Sequence, residues 1–248
     1  EIVDFITSDN PRAQRKLIGG GSTNVLPVTQ LKLAVDSAKV VQNGTVQPED
    51  AHLIVDEVVW DLAPRSIGKT DLMILDLLAQ NNWDRPIYFT SIIHNNINGL
   101  QDYFQLDGLA YRFVPIKSDL NNTLQTHINT KLLYEKFVNE FEWGGIENTD
   151  TWIDFYTKRT SMILRLRYNY VLLANKLVEE GQNEKAIKVL DRIVEIMPKE
   201  NFPYEVFAAG IAEGYYRAGE IQKGNALVNS YLDDLFQENQ SKPHAPEL

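Results

Sequence analysis

Cysteine is absent from the 248 residues. Its absence excludes a disulfide framework, a cysteine-based zinc site and a thiol nucleophile together. Basic clusters are missing too, and the formal net charge is −10. Nucleic acid and anionic membrane surfaces are poor partners for such a chain, because both need Lys and Arg to neutralise phosphates. No apolar run approaches the about 20 residues that a membrane-spanning helix requires. The four histidines, His52, His94, His127 and His244, lack ligand spacing, so neither a metal nor a cofactor is expected.

The residues that are present suit a folded protein, with 44% hydrophobic and 23% charged. The chain opens at Glu1 with no basic-then-apolar leader, which suggests a piece of a longer protein. Two domains are expected, a small α/β or α+β domain over 1–125 and a helical domain over 126–240, giving an α+β chain overall. In the first, Leu31, Leu33 and Val35 alternate with Lys32 and Ala34, as a half-buried strand does. Asn43-Gly44 reads as a turn, and Leu53 to Trp60 as a second strand. Thr70 reads as the N-cap of a helix whose stripe is Leu72, Leu75, Leu78 and Ala79 and which ends near Asn81-Asn82. The β-branched and aromatic run Ile87 to Ile93 reads as a central strand, so strand, helix and strand suggest a βαβ-like crossover. A further strand is expected from Leu109 to Ile116.

Helical patterning begins near Thr130, with Leu132, Leu133, Phe137 and Phe141 on one face. Trp143-Gly144-Gly145 breaks it, and a long helix is expected from near Thr151. The strongest signal is an internal repeat. Ala174, Gly181, Ala186 and Leu190 recur at identical intervals as Ala212, Gly219, Gly224 and Val228. Small residues suit close helix crossings, and the glycines suit the left-handed end of a helix. Two helical hairpins follow, at about 167–198 and 205–236, resembling tetratricopeptide repeats. The connector around Lys199 to Phe202 is longer than that repeat normally allows.

Site candidates are few. Ser66 to Thr70 ends like a phosphate-binding loop, but Ala63 stands where that loop needs glycine, so a turn and helix start is preferred. Gly19-Gly20-Gly21-Ser22 precedes no helix and reads as a loop. Arg85, in the turn Trp83-Asp84-Arg85-Pro86, could reach a carboxylate or sugar, although locking the turn is the better reading. On the hairpins, Tyr168, Asn175 and Glu179, then Glu213 and Tyr216, fall where a peptide groove would be lined. Val171 stands where a carboxylate clamp would carry lysine, so the face is read either as a generic groove, whose expected partner is a protein, peptide or glycan, or equally as a packing surface against the α/β part.

Asn82 to Phe89, then Gly108 to Pro115, then Trp143-Gly144-Gly145, followed by the hairpins, resemble the C-terminal region of multi-spanning Bacteroidetes membrane proteins. Members resemble GT-C glycosyltransferases and are related to a vertebrate protein O-mannosyltransferase. The resemblance implies an upstream membrane region carrying the catalytic carboxylate. It also implies a periplasmic or otherwise extracytoplasmic position for this piece, tethered to the inner membrane. The expected function is thus a non-enzymatic accessory domain that binds acceptor protein or partner, or braces the membrane part. A free-standing periplasmic peptide- or glycan-binding protein is the alternative. An independent enzyme with its site near Arg85 and Asp102 is a third reading.

Overall fold

The computed structural model describes residues 11, 14–16, 18–20, 22–25, 28–62, 68–90, 99–118, 127–154, 156–157, 161–204 and 207–241. The chain divides into two compact units, Glu1–His127 and Ile128–Leu248, and the class is α+β.

In the first unit, β1 (Gln14–Lys16) and β2 (Ser22–Asn24) form a hairpin, with Gly19 and Gly20 in its loop. β3 (Gln30–Ala34) pairs antiparallel with β4 (Glu57–Asp61), matching Leu31 with Trp60 and Leu33 with Val58. Between them lie α1 (Ser37–Gln42), whose N-cap Asp36 accepts from Lys39 N at 3.0 Å, and a 3-10 helix, Pro48–Leu53. Leu53 therefore belongs to a helical turn; the strand starts at Glu57, four residues beyond the expected start.

Helix α2 (Lys69–Asn81) is capped at Gly68, whose amide donates to Asp71 Oδ2 at 2.8 Å, so Thr70 lies inside it. β5 (Ile87–Phe89) follows, then a 3-10 turn (Leu100–Tyr103), β6 (Phe104–Asp107) and β7 (Ala110–Phe113). β7 lies between β5 and β6 and is antiparallel to both. The expected βαβ crossover is thus corrected: β4 and β5 belong to different sheets, and the pairings of β3 through β7 are antiparallel. β5 also ends its sheet where a central strand was expected, and Ser91 to Ile93 fall outside the described residues.

The core of this unit is aromatic. Trp83 stacks on Phe113 at 5.3 Å between ring centres, and Phe104 meets both Phe89 and Phe113 edge-on. Tyr103 ties this core to β4, its hydroxyl donating to Val59 O and accepting from Val59 N, both at 3.1 Å. Gly99 is needed where the chain returns past β4: φ is +89°, and a Cβ there would lie 2.1 Å from Asp61 O.

The second unit is helical, entered through the two-residue strand β8 (His127–Ile128), which straddles the boundary. α3 (Thr130–Tyr134) starts at the N-cap Asn129 and runs directly into a π-helical turn, Glu135–Glu140. Phe137 stacks on Tyr170 at 4.4 Å, and the Tyr170 hydroxyl donates to Phe137 O at 2.8 Å.

The long helix, α4, is described over Ser161–Glu179; residues 151–154 are not helical, Tyr156 and Thr157 are, and 158–160 lie outside the described residues. Residues 145–151 instead form turns in which Asn148 Oδ1 accepts from Asp150 N, and Asp154 likewise accepts from Thr157 N. The Asn148 bond offers the backbone an alternative to helix, whereas the Asp154 bond has the spacing of an N-cap and is followed by helical Tyr156 and Thr157. α4 is followed by α5 (Asn183–Ile196), α6 (Phe207–Ala218) and α7 (Ile221–Ser241). Gly181 and Gly219 take φ of +73° and +95° at the tips of the two hairpins, as their positions in the repeat require. α6 packs on both α4 and α5, so the hairpins stack.

Candidate functional site

The hairpin face proposed as a groove is built by the 3.6-residue period of α4. Tyr168, Asn175 and Glu179 stand seven and four residues apart, on one side of that helix. α6 lies close beside it, because Gly210 meets Val171 and Gly214 meets Leu190 of α5. Arg217 of α6 donates to Asn175 Oδ1 at 3.1 Å, joining the two helices across their exposed side. Glu213, one turn before Arg217, is exposed on the same face.

Tyr168 is half-buried, and that burial raises its phenol pKa. It remains a neutral hydrogen-bonding group at neutral pH. Glu179 pairs with Lys176 at 3.2 Å between two half-exposed side chains, an interaction worth well under about 1 kcal/mol. The face thus offers an aromatic hydroxyl, an amide, a guanidinium and two carboxylates, all suited to polypeptide backbone and side chains. Tyr216 points elsewhere. Its ring lies over Gly224 of α7, and its hydroxyl donates to Asn225 Oδ1 at 2.9 Å. A Cβ at Gly224 would come 2.5 Å from that ring, so the glycine makes room for it.

Arg85 is exposed in the first unit. The turn around it is held by other atoms. Asn81 Nδ2 donates to Arg85 O at 2.9 Å, Asn43 Nδ2 to Trp83 O at 2.5 Å, and Trp83 Nε1 to Ala34 O at 2.7 Å. Lys39 bridges Asp84 at 2.5 Å and donates to Asn82 O at 2.7 Å. These bonds hold Asn82 and Trp83 at φ of +43° and +59°, uncommon for residues with side chains. The Arg85 side chain borders a small hollow lined by Leu78, Trp83, Ile87 and Phe113.

A buried polar cluster escaped the reading of the sequence. Asp107 and Arg112 form an ion pair inside the β6–β7 hairpin, and Tyr88 donates to Asp107 Oδ2 at 3.0 Å. Arg112 also donates to Gly44 O at 2.6 Å and lies over the Tyr88 ring. The register explains the meeting. Arg112 pairs with Gln105 and with Tyr88, which brings Asp107, Arg112 and Tyr88 to one face of the sheet. Burial, then the Asp107 carboxylate, raises the Tyr88 pKa.

In the second unit, Arg167 is buried and donates to Met197 O at 3.1 Å, Pro203 O at 2.5 Å and Phe202 O. Its guanidinium lies 5.2 Å from the Tyr204 ring centre. Arg167 thereby fastens the long connector between the hairpins. Asn201 fastens it again, donating to Asn148 O at 2.9 Å and Ile146 O at 3.2 Å.

The glycine of the phosphate-loop-like stretch that is described, Gly68, serves as the helix cap; residues 63–67 lie outside the described residues. Among the described residues no three carboxylate or histidine side chains gather as a metal would need, and no helix is long and apolar enough to cross a membrane.

No curated protein and no solved structure matches the chain. One family model does, that of TMEM260-associated domain 2, over residues 1–132. The match takes in the aromatic core, the Trp83 turn and the Asp107–Arg112 hairpin, and covers more than half of the sequence. The chain therefore belongs to the TMEM260-associated domain 2 family.

Proposed function

We propose that this chain is a non-catalytic, extracytoplasmic accessory module of a membrane-embedded, glycosyltransferase-like protein, and that its helical hairpins hold acceptor protein or a partner. Membership of a family named for its association with TMEM260 carries this reading. The resemblance to the soluble region of GT-C-related membrane proteins supports a transferase as the parent and an extracytoplasmic position for this module. The architecture supports a tetratricopeptide-like role, since α4 and α6 present Tyr168, Asn175, Glu179 and Glu213 on neighbouring exposed faces. The polar groups of the first unit support a bracing role there. Arg112, Asp107 and Tyr88 bond to one another and to the Gly44 turn, which leaves them committed to structure.

Two experiments test the reading. Hydropathy of the parent gene upstream of Glu1 should show several membrane spans, and their absence would sink it. Binding of unfolded acceptor polypeptide to the chain should weaken on Asn175→Ala, which also frees Arg217 from its partner. Unchanged binding would remove the groove from the account.

A further inference from the structure

The two hairpins superpose at an offset of 38 residues, Ala174 on Ala212 and Leu190 on Val228. The first hairpin is therefore a template for what the second should carry. Three of its contacts with α6 set the approach of that helix. A Cβ on Gly210 would lie 3.4 Å from Val171, a Cβ on Gly214 would lie 3.0 Å from Leu190, and Arg217 donates to Asn175 Oδ1. Gly214 is what allows the helix so close, because even a Cβ there would crowd Leu190, while Gly210 leaves room for a small residue against Val171.

Shifted by 38, the receiving residues Val171, Asn175 and Leu190 become Ala209, Glu213 and Val228. Their neighbours Val194 and Met197 become Leu232 and Leu235. In the first hairpin Leu190 and Met197 are both 0% exposed. In the second, Leu232 is 42% exposed, Leu235 36% and the adjacent Phe236 65%. Leu232, Leu235 and Phe236 follow the three- and four-residue spacing of a single helical stripe on α7. Among the described residues no further helix follows to cover it.

We infer that this open end of the stack, formed by α6 and α7, docks one amphipathic helix of a partner protein whose contact stripe reads small-x-x-x-small-x-x-Arg. Gly210, Gly214 and Arg217 show that stripe one step earlier in the stack. The exchange of neutral Asn175 for Glu213 turns the bond to the incoming arginine into an ion pair, and so strengthens it. Asp233, exposed beside the stripe, adds to the preference for a basic helix. A second copy of this chain is disfavoured, because pairing this edge with its own image sets Glu213 and Asp233 against like charges, in a chain of net charge −10. This edge shares Glu213 with the groove of α4 and α6, but its apolar stripe, Leu232, Leu235 and Phe236, lies on α7 outside that groove.

The test uses a fluorescent synthetic peptide of residues 204–220, which carries the stripe, titrated with the full 248-residue chain by anisotropy. Saturable binding is expected. The double variant Leu232→Asp/Leu235→Asp should weaken it by at least about tenfold with unchanged far-ultraviolet circular dichroism, since both side chains are exposed. Glu213→Arg should weaken it likewise. A peptide with glutamate in place of the arginine should restore binding to that variant, which mere apolar stickiness would not do. Absence of saturation below about 1 mM peptide, indifference to the double variant, or failure of the charge exchange would each overturn the inference. So would dimerisation of the free chain that the same double variant abolishes, since the face would then belong to a second copy.

Discussion

Replacing Arg167 with methionine keeps an unbranched apolar stem and removes the guanidinium with its charge and donors. The structure sets the cost. Arg167 is 2% exposed and donates to Met197 O, Phe202 O and Pro203 O, so three carbonyls lose a donor at once. A buried acceptor left without a partner costs about 1–3 kcal/mol. Pro203 is itself exposed, so water can replace the donor there. Two carbonyls then remain, and with the lost contact to the Tyr204 ring the sum is about 3–5 kcal/mol. That is a large share of the about 5–15 kcal/mol typical of a domain. Urea unfolding followed by circular dichroism should show a lower midpoint. Native-state hydrogen exchange should show protection lost first over residues 197–204. Arg167→Lys should recover only part of the loss, since one ammonium does not span three carbonyls held in a fork geometry. A loss below about 1 kcal/mol for Arg167→Met would refute the view that this side chain holds the connector.

Three further outcomes follow from the other side chains. Asp107→Asn should destabilise by about 3–5 kcal/mol by leaving Arg112 buried without its carboxylate, and Asp107→Leu/Arg112→Met should cost less than the sum of its single changes; a double-mutant cycle in urea measures both. Burial raises the pKa of Tyr170 above the usual tyrosine range, and burial with the Asp191 carboxylate does the same for Tyr215. A group with a raised native pKa stabilises fully below its unfolded value and loses that contribution as pH climbs, so stability should fall above about pH 10. Absorbance at 295 nm should then show a tyrosine fraction that ionises only with cooperative unfolding. Asn82→Gly should raise stability by up to about 1 kcal/mol, because φ is +43° there and the bond from Lys39 uses the backbone carbonyl; thermal melting reads the change.

Local patterns were legible wherever a single residue carries the physics. The alternation of Leu31 and Leu33, the helix end at Asn82 and the glycines at 181 and 219 all appear in the structure where the sequence suggests them. Pairing was harder. The β-branched run from Ile87 states strand but not partner or direction, so the crossover gave way to an antiparallel sheet. The Asp107–Arg112 pair needs the register of the β6–β7 hairpin, and a sequence of strands does not contain that register until the two-residue turn at Gly108-Leu109 is recognised. Near Thr151 no glycine or proline interrupts the chain, yet Asn148 bonds to the backbone of Asp150 and residues 151–154 are not helical. At the candidate groove, the α4 period places Tyr168, Asn175 and Glu179 on one side of the helix, which is all that a helical period states. Tyr216 was misdirected because Gly224, recognised as small, opens its space to Tyr216 of the same hairpin.

The proposed accessory role separates recognition of polypeptide by the hairpins from chemistry performed elsewhere in the parent protein. The direct measurement is glycosyl transfer by the parent protein carrying Tyr168→Ala/Asn175→Ala, assayed on a whole acceptor protein and on a short acceptor peptide. The account predicts a raised KM for the protein acceptor, with turnover on the short peptide unchanged. Equal loss of kcat on both acceptors would contradict it, since those residues would then act in the chemistry itself.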